Sequence, residues 1–190
     1  MLKTLKVSRV ELRSQLLKLD LSDRPEEAAD RDRMITLLDD CSTCFSRETF
    51  PAHFTGSALV VSWDATRVLL HHHRKLDRWL QFGGHRDGSE DVLSVARREA
   101  FEESGIAGLT PISNHPFDLD IHEIPAFGAE PAHEHYDVRY LFAAPNGATA
   151  TISSESNELR WFTLEQAQHQ NLDPGLLRMI ARLKSNTLAP

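Results

Sequence analysis

The chain of 190 residues is poor in cysteine, has no long apolar run and carries no excess of positive charge. Each shortage excludes something. Cys41 and Cys44 are the whole complement, so no second cysteine pair exists to complete a zinc knuckle. The pair follows a helical stretch rather than opening a redox βαβ unit, and reads as two reduced, partly buried thiols. No segment approaches the roughly 20 apolar residues of a membrane span. The start, Met-Leu-Lys-Thr-Leu-Lys-Val-Ser-Arg, lacks the apolar core of a signal peptide. A cytoplasmic location without membrane association is the expectation. The formal net charge of −7 argues against a surface for a nucleic-acid duplex. It leaves nucleotides open, because bound cations supply positive charge locally. There is no internal repeat and no low-complexity tract. At 41% hydrophobic residues the chain can bury one good core and carry a small extension.

Pattern divides the chain at about residue 50. Residues 5–50 are helix-rich, with Val10, Leu12, Leu16, Leu17 and Leu19 in one run and Met34, Ile35, Leu37 and Leu38 in another. Pro25, following Asp23-Arg24, suits the first position of the second helix. This extension, residues 1–50, is free to pack on the core, form a homodimer surface or shape a substrate mouth, and packing is favoured. Residues 51–190 form the main domain. Strands alternate through 55–145, with Ser62-Trp63-Asp64-Ala65-Thr66 as a hairpin turn. Residues 110–131 read as strand plus irregular loop, and residues 175–184 as a closing helix.

The chemistry concentrates in residues 84–106. Ser89 reads as an N-cap, Glu90 and Asp91 fill the first turn, and Gly105 supplies the stop. Val92, Leu93, Ala96 and Ala100 fall at helical spacing and pack inward. At about 100° per residue, Glu99 and Glu103 project within roughly 40° of each other, and Glu102 lies roughly 60° from Glu99. Like charges stacked this way repel. A merely solvated face would interleave Lys or Arg. Together with Gly84, Glu90 and Arg98, the strip points to a grip on divalent cations and to metal-dependent phosphate chemistry.

Gly84-x5-Glu90-x7-Arg98-Glu99-Ala100-x-Glu102-Glu103-x-Gly105-Ile106 resembles the signature of the Nudix hydrolases. Ala100 departs from it, since the family usually has Ile, Leu or Val there. The resemblance covers about residues 51–185. It includes strands at 56–61 and 67–72, a late strand at Leu159-Arg160-Trp161-Phe162, and a helix starting at Leu164-Glu165-Gln166. It implies an α+β fold, an α/β/α sandwich around a mixed sheet, preceded here by the helical extension. It also implies a Nudix hydrolase: a metal-dependent enzyme cleaving the diphosphate of a nucleoside diphosphate linked to another moiety. Mg²⁺ or Mn²⁺ would be held by Glu99, Glu102, Glu103 and the Gly83 carbonyl. Arg98 would orient Glu90 and Glu99. The general base would be Glu99, with Glu155 and Glu158 as loop alternatives. The partner implied is a small nucleotide-derived diphosphate.

A second constellation lies outside that signature. His53 is placed before the first strand and His85 follows Gly83-Gly84, while His133, His135 and Asp137 alternate on one face of a strand. Imidazole and carboxylate at such spacing suit Zn²⁺ or Mn²⁺. The placement resembles the metal site of type I isopentenyl diphosphate isomerases, relatives of the same fold, which protonate an alkene with a cysteine where this chain has Gly83. The isomerase and a non-catalytic nucleotide-sensing module are therefore the rival readings. The intact glutamates favour hydrolysis over both. Lys75, Arg78, Arg86 and Arg139 are candidates for phosphate oxygens. Trp79, Phe82 and Tyr136 are candidates for stacking on a base, though Trp79 is assigned to the core.

Overall fold

The computed structural model describes residues 8–85 and 91–187. The elements, in order, are α1 (Arg9–Lys18), α2 (Pro25–Asp40), β1 (Ala52–Val61), β2 (Arg67–His73), β3 (Arg78–Leu80), β4 (Phe82–His85), α3 (Val92–Ser104), β5 (Thr110–Pro111), β6 (Asp118–Ile124), β7 (His133–Ala143), β8 (Ser156–Thr163), α4 (Leu164–Gln168) and α5 (Pro174–Thr187). All eight strands join one mixed sheet, ordered β3-β2-β1-β7-β5, with β4 also on β1, β6 on β7 and β8 on β2. The β1–β7 pair is parallel and the other pairings are antiparallel.

Every residue of β1 is buried, as expected of a parallel-paired strand covered on both faces. One face carries Phe54, Ala58, Val60, Leu69, Phe82, Val138, Tyr140 and Phe142. It packs on Leu12 and Leu16 of α1, Met34 and Leu38 of α2, and Val92, Ala96 and Ala100 of α3. The other face presents Leu59, Val61, Val68, Leu70 and Phe162 to Leu176, Met179, Ile180 and Leu183 of α5. This is the expected α/β/α layering. A Cβ at Gly56 would sit 2.8 Å from the Val92 carbonyl, so glycine there lets α3 lie close on β1.

Two boundaries differ from the sequence reading. Among the described residues α3 is capped by Asp91, whose carboxylate takes the Ser94 N–H at 3.0 Å and the Ser94 hydroxyl at 2.6 Å. Asp91 thus lies outside the first turn and does the capping expected of Ser89. Ser89 and Glu90 fall outside the described residues. The helix stops where expected: Gly105 has φ 67° and its N–H reaches the Phe101 carbonyl. His53 lies inside β1 rather than before it, because its parallel pairing with His135 of β7 extends the strand back to Ala52. That pairing is non-local and leaves no trace in the neighbouring residues.

Candidate functional site

The glutamate strip of α3 lies against the inner edge of β4. A Cβ at Gly84 would fall 2.7 Å from a Glu99 carboxylate oxygen, so only glycine lets that carboxylate lie flat on the strand. Arg98 donates through Nη2 to the His85 carbonyl at 3.0 Å and to Glu99 Oε1 at 2.5 Å. Its Nε lies 3.9 Å from Glu102. The guanidinium thereby ties strand and strip together. Glu90 lies outside the described residues.

Glu103 is the deepest of the three carboxylates, 7% exposed. Burial, followed by the charges of Glu99, Glu155 and Glu102, pushes its pKa up to about 8, against an opposing hydrogen bond from the Gly83 backbone. Its Oε2 is buried without a hydrogen-bond partner among the described residues. Among the described residues a cationic candidate is His71 Nε2, at 3.9 Å. That imidazole is pushed down to about 4 by burial and by His73 and His72, so it is neutral at neutral pH and no ion pair forms. Ser156 Oγ sits 2.9 Å from its other nitrogen. A partnerless buried carboxylate oxygen, two further carboxylates and a glycine strand fit a divalent cation. His71 was not singled out in the sequence, although its alternation with Leu69 places it on the α3 face of β2.

The two loop candidates for the base part company. Glu155 acts electrostatically on Glu103. Glu158 pairs with Arg160 at 2.5 Å, and that guanidinium lies over Trp79 and Phe162 on the α5 face. The structure does not bring Glu158 to the strip. Arg139 and Phe82 are also withdrawn from substrate contact, since both are buried. Arg139 is enclosed by Asp118, Asp120 and Asp137 at 3.5, 2.8 and 2.8 Å.

Four of the five residues of the second constellation converge. The ring nitrogens of His53, His85, His133 and His135 lie within 4.8 Å of one another. His135 Nε2 is 3.2 Å from His85 Nε2 and 3.3 Å from His133 Nε2. The cluster faces away from α3. His53 and His135 are paired neighbours, His133 is two residues from His135, and His85 pairs with Thr55, so the pleat puts all four on one side. β4 is therefore the wall between the two sites. Burial is the leading cause of the lowered pKa of His53, His85 and His135. Asp137, the fifth candidate, is corrected: it accepts from Thr55, Ser57 and Arg139 at 3.0, 2.8 and 2.8 Å. Its oxygens are committed to holding Arg139, a consequence of the β1–β7 register.

A family model described as NUDIX domain matches residues 53–183. No curated protein sequence matches. Among solved structures, a Caenorhabditis elegans Ap4A hydrolase binary complex is 21% identical over 71% of this chain and 96% of its own, with a TM-score of 0.57. The Escherichia coli dihydroneopterin triphosphate pyrophosphohydrolase is 18% identical over 70% and 95%, at 0.55. A NUDIX-family hydrolase from Clostridium perfringens is 24% identical over 71% and 97%, at 0.53. At these identities the structural likeness concerns the fold.

Proposed function

The chain belongs to the NUDIX domain family, a family of pyrophosphohydrolases, and from that membership we propose that it hydrolyses the diphosphate linkage of a small nucleotide-derived substrate. Water adds to one phosphorus, the P–O–P bond breaks, and two phosphate-bearing products leave. Glu99, Glu102 and Glu103, with the Gly83 carbonyl, would hold Mg²⁺ or Mn²⁺, which when bound supplies the charge that polarises phosphoryl oxygens. Glu99 is the favoured base for the attacking water. Arg98 is a positioning residue that fixes the Glu99 carboxylate against β4. Glu103, the most buried of the three carboxylates, would hold the cation against the glycine strand.

The single observation that carries this reading is the Glu103 Oε2 atom, buried and, among the described residues, without a hydrogen-bond partner beside Glu99. A carboxylate so placed is costly unless a cation meets it. The isomerase alternative lacks its acid. A Cβ at Gly83 would run into Ser57 Oγ and lie 2.9 Å from Ser57 Cβ, so no cysteine could replace this glycine without displacing β1. Cys44 is buried in the core around α1 and α2. Phosphate release should be measured with Mg²⁺ and with Mn²⁺ over nucleoside triphosphates, dinucleoside polyphosphates, nucleotide sugars and ADP-ribose. Turnover of at least one class is expected. Folded protein inert to all of them would remove the assignment.

A further inference from the structure

We propose that His53, His85, His133 and His135 form a second, tetrahedral site for a Zn²⁺-class cation, which clamps β1, β4 and β7 from the face opposite the glutamate strip. The argument begins with tautomers. His53 Nδ1 lies 3.1 Å from the Thr49 carbonyl and His133 Nδ1 lies 2.9 Å from the Pro131 carbonyl. A carbonyl only accepts, so both Nδ1 atoms carry the proton and both Nε2 atoms present lone pairs. Backbone carbonyls orienting imidazoles in this way are the usual outer support of a metal-binding histidine.

The inward atoms then face chiefly one another. His53 is fully buried and its Nε2 has no hydrogen-bond partner among the described residues. His133 Nε2 faces His135 Nε2 at 3.3 Å, and His135 Nε2 faces His85 Nε2 at 3.2 Å. One proton can bridge one such pair but not satisfy the whole set. A tetrahedron with Zn–N bonds of about 2.0–2.1 Å has edges of about 3.3 Å, which matches those two separations. Four imidazole nitrogen donors, with the Glu130 carboxylate 4.0 Å from His133 Nε2, favour Zn²⁺, Co²⁺ or Ni²⁺ over Mg²⁺. The two sites are thus separable by metal as well as by place. Their link is His85, whose ring belongs to the cluster and whose carbonyl receives Arg98 from the strip.

The inference goes beyond the hydrolase reading and is tested without substrate. Tag-free protein, stripped with chelator, is titrated with Co²⁺ and followed by visible absorption. One equivalent should give the intense bands of tetrahedral cobalt, and Zn²⁺ should displace it. The Glu102→Gln/Glu103→Gln double variant and exposed His115→Gln should keep the bands. His53→Gln and His133→Gln should each weaken binding at least tenfold. Bands that never form, that survive both histidine variants, or that vanish in the glutamate double variant would overturn the site. Should either histidine variant fail to fold, thermal melts of the unaltered chain decide: Zn²⁺ is expected to raise Tm by several degrees, and a Tm indifferent to Zn²⁺ rejects the proposal.

Discussion

Two glutamates have opposite fates here. Glu103 is almost sealed between α3 and the glycine strand, with one oxygen unpartnered and its pKa pushed up to about 8 by burial and neighbouring carboxylates. Glu158 is half-exposed and spends its charge on Arg160. Glu103→Gln should lower turnover on the order of 10²-fold or more, the scale of losing one preorganised electrostatic group. It should also weaken Mg²⁺ binding and leave the fold intact, since Gln is isosteric with a carboxyl that burial already drives toward its neutral form. Glu158→Gln should change turnover by less than about twofold and stability by under ~1 kcal/mol, as exposed ion pairs do. Steady-state rates and Mg²⁺ titrations of the two variants check this. Equal losses in both would mean that the face assigned to Glu158 is wrong. Sequence alone could not separate Glu158 from Glu155 as loop candidates. The irregularity in β2–β8 pairing between His72 and His73 resets which β8 side chains face α3, and such an irregularity has no local signature.

At the scale of the element, the polar face of β6 and β7 is tied to α5 by charge rather than by apolar contact. Asp118 takes both Nε and Nη2 of Arg178 at 2.9 Å, and Asp120 accepts from His122 at 2.9 Å and from Arg139 at 2.8 Å. Glu27 of α2 joins through Arg182. Burial alone would raise the Asp120 pKa, but the His122 hydrogen bond and the Arg139 and Arg178 charges outweigh it and bring it down to about 2. A carboxylate depressed on folding contributes stability that is fully present above its unfolded pKa of about 3.9 and is lost as pH falls through its folded value. The contribution is roughly 2 kcal/mol. Urea unfolding should therefore show wild type ahead of Asp120→Asn by a constant margin at pH 5. The margin should shrink between pH 4 and pH 2, a range in which His122, raised from its ordinary value, stays protonated. A margin that did not change with pH would show that Asp120 contributes by shape alone. The acidic positions of β6 and their alternation are visible in the sequence, but the partners from α5 lie some 60 residues away and are not.

For the whole molecule, what was legible follows from what is local. The glycine-bounded helix and the β1–β2 hairpin could be read from spacing, because each depends on residues within one element or one turn, whereas the layering came only with the family resemblance. The histidine cluster could be read only in part. Alternation put His133, His135 and Asp137 on one face, but the β1–β7 register decides that His53 joins them and that Thr55 and Ser57 take up Asp137. The division at residue 50 rests on pattern too, and the packing bears on it. Leu12 and Leu16 of α1 and Met34 and Leu38 of α2 lie in the same apolar cluster as Phe54, Val92 and Ala96, each at most 2% exposed. Arg33 of α2 also pairs with Glu134 of β7 at 2.7 Å. Helices that share a core with the sheet should unfold with it. Leu16→Ala should therefore cost about 2–5 kcal/mol and move a single urea transition, followed by far-UV circular dichroism and tryptophan fluorescence together, to lower denaturant. An extension that were a separate unit would instead give two transitions, an early one in helicity displaced by the substitution and a later one in fluorescence left where it was. Coincident curves are expected, because Trp63, Trp79 and Trp161 all lie in the sheet region while the altered residue lies in α1, so only a shared core lets one report on the other.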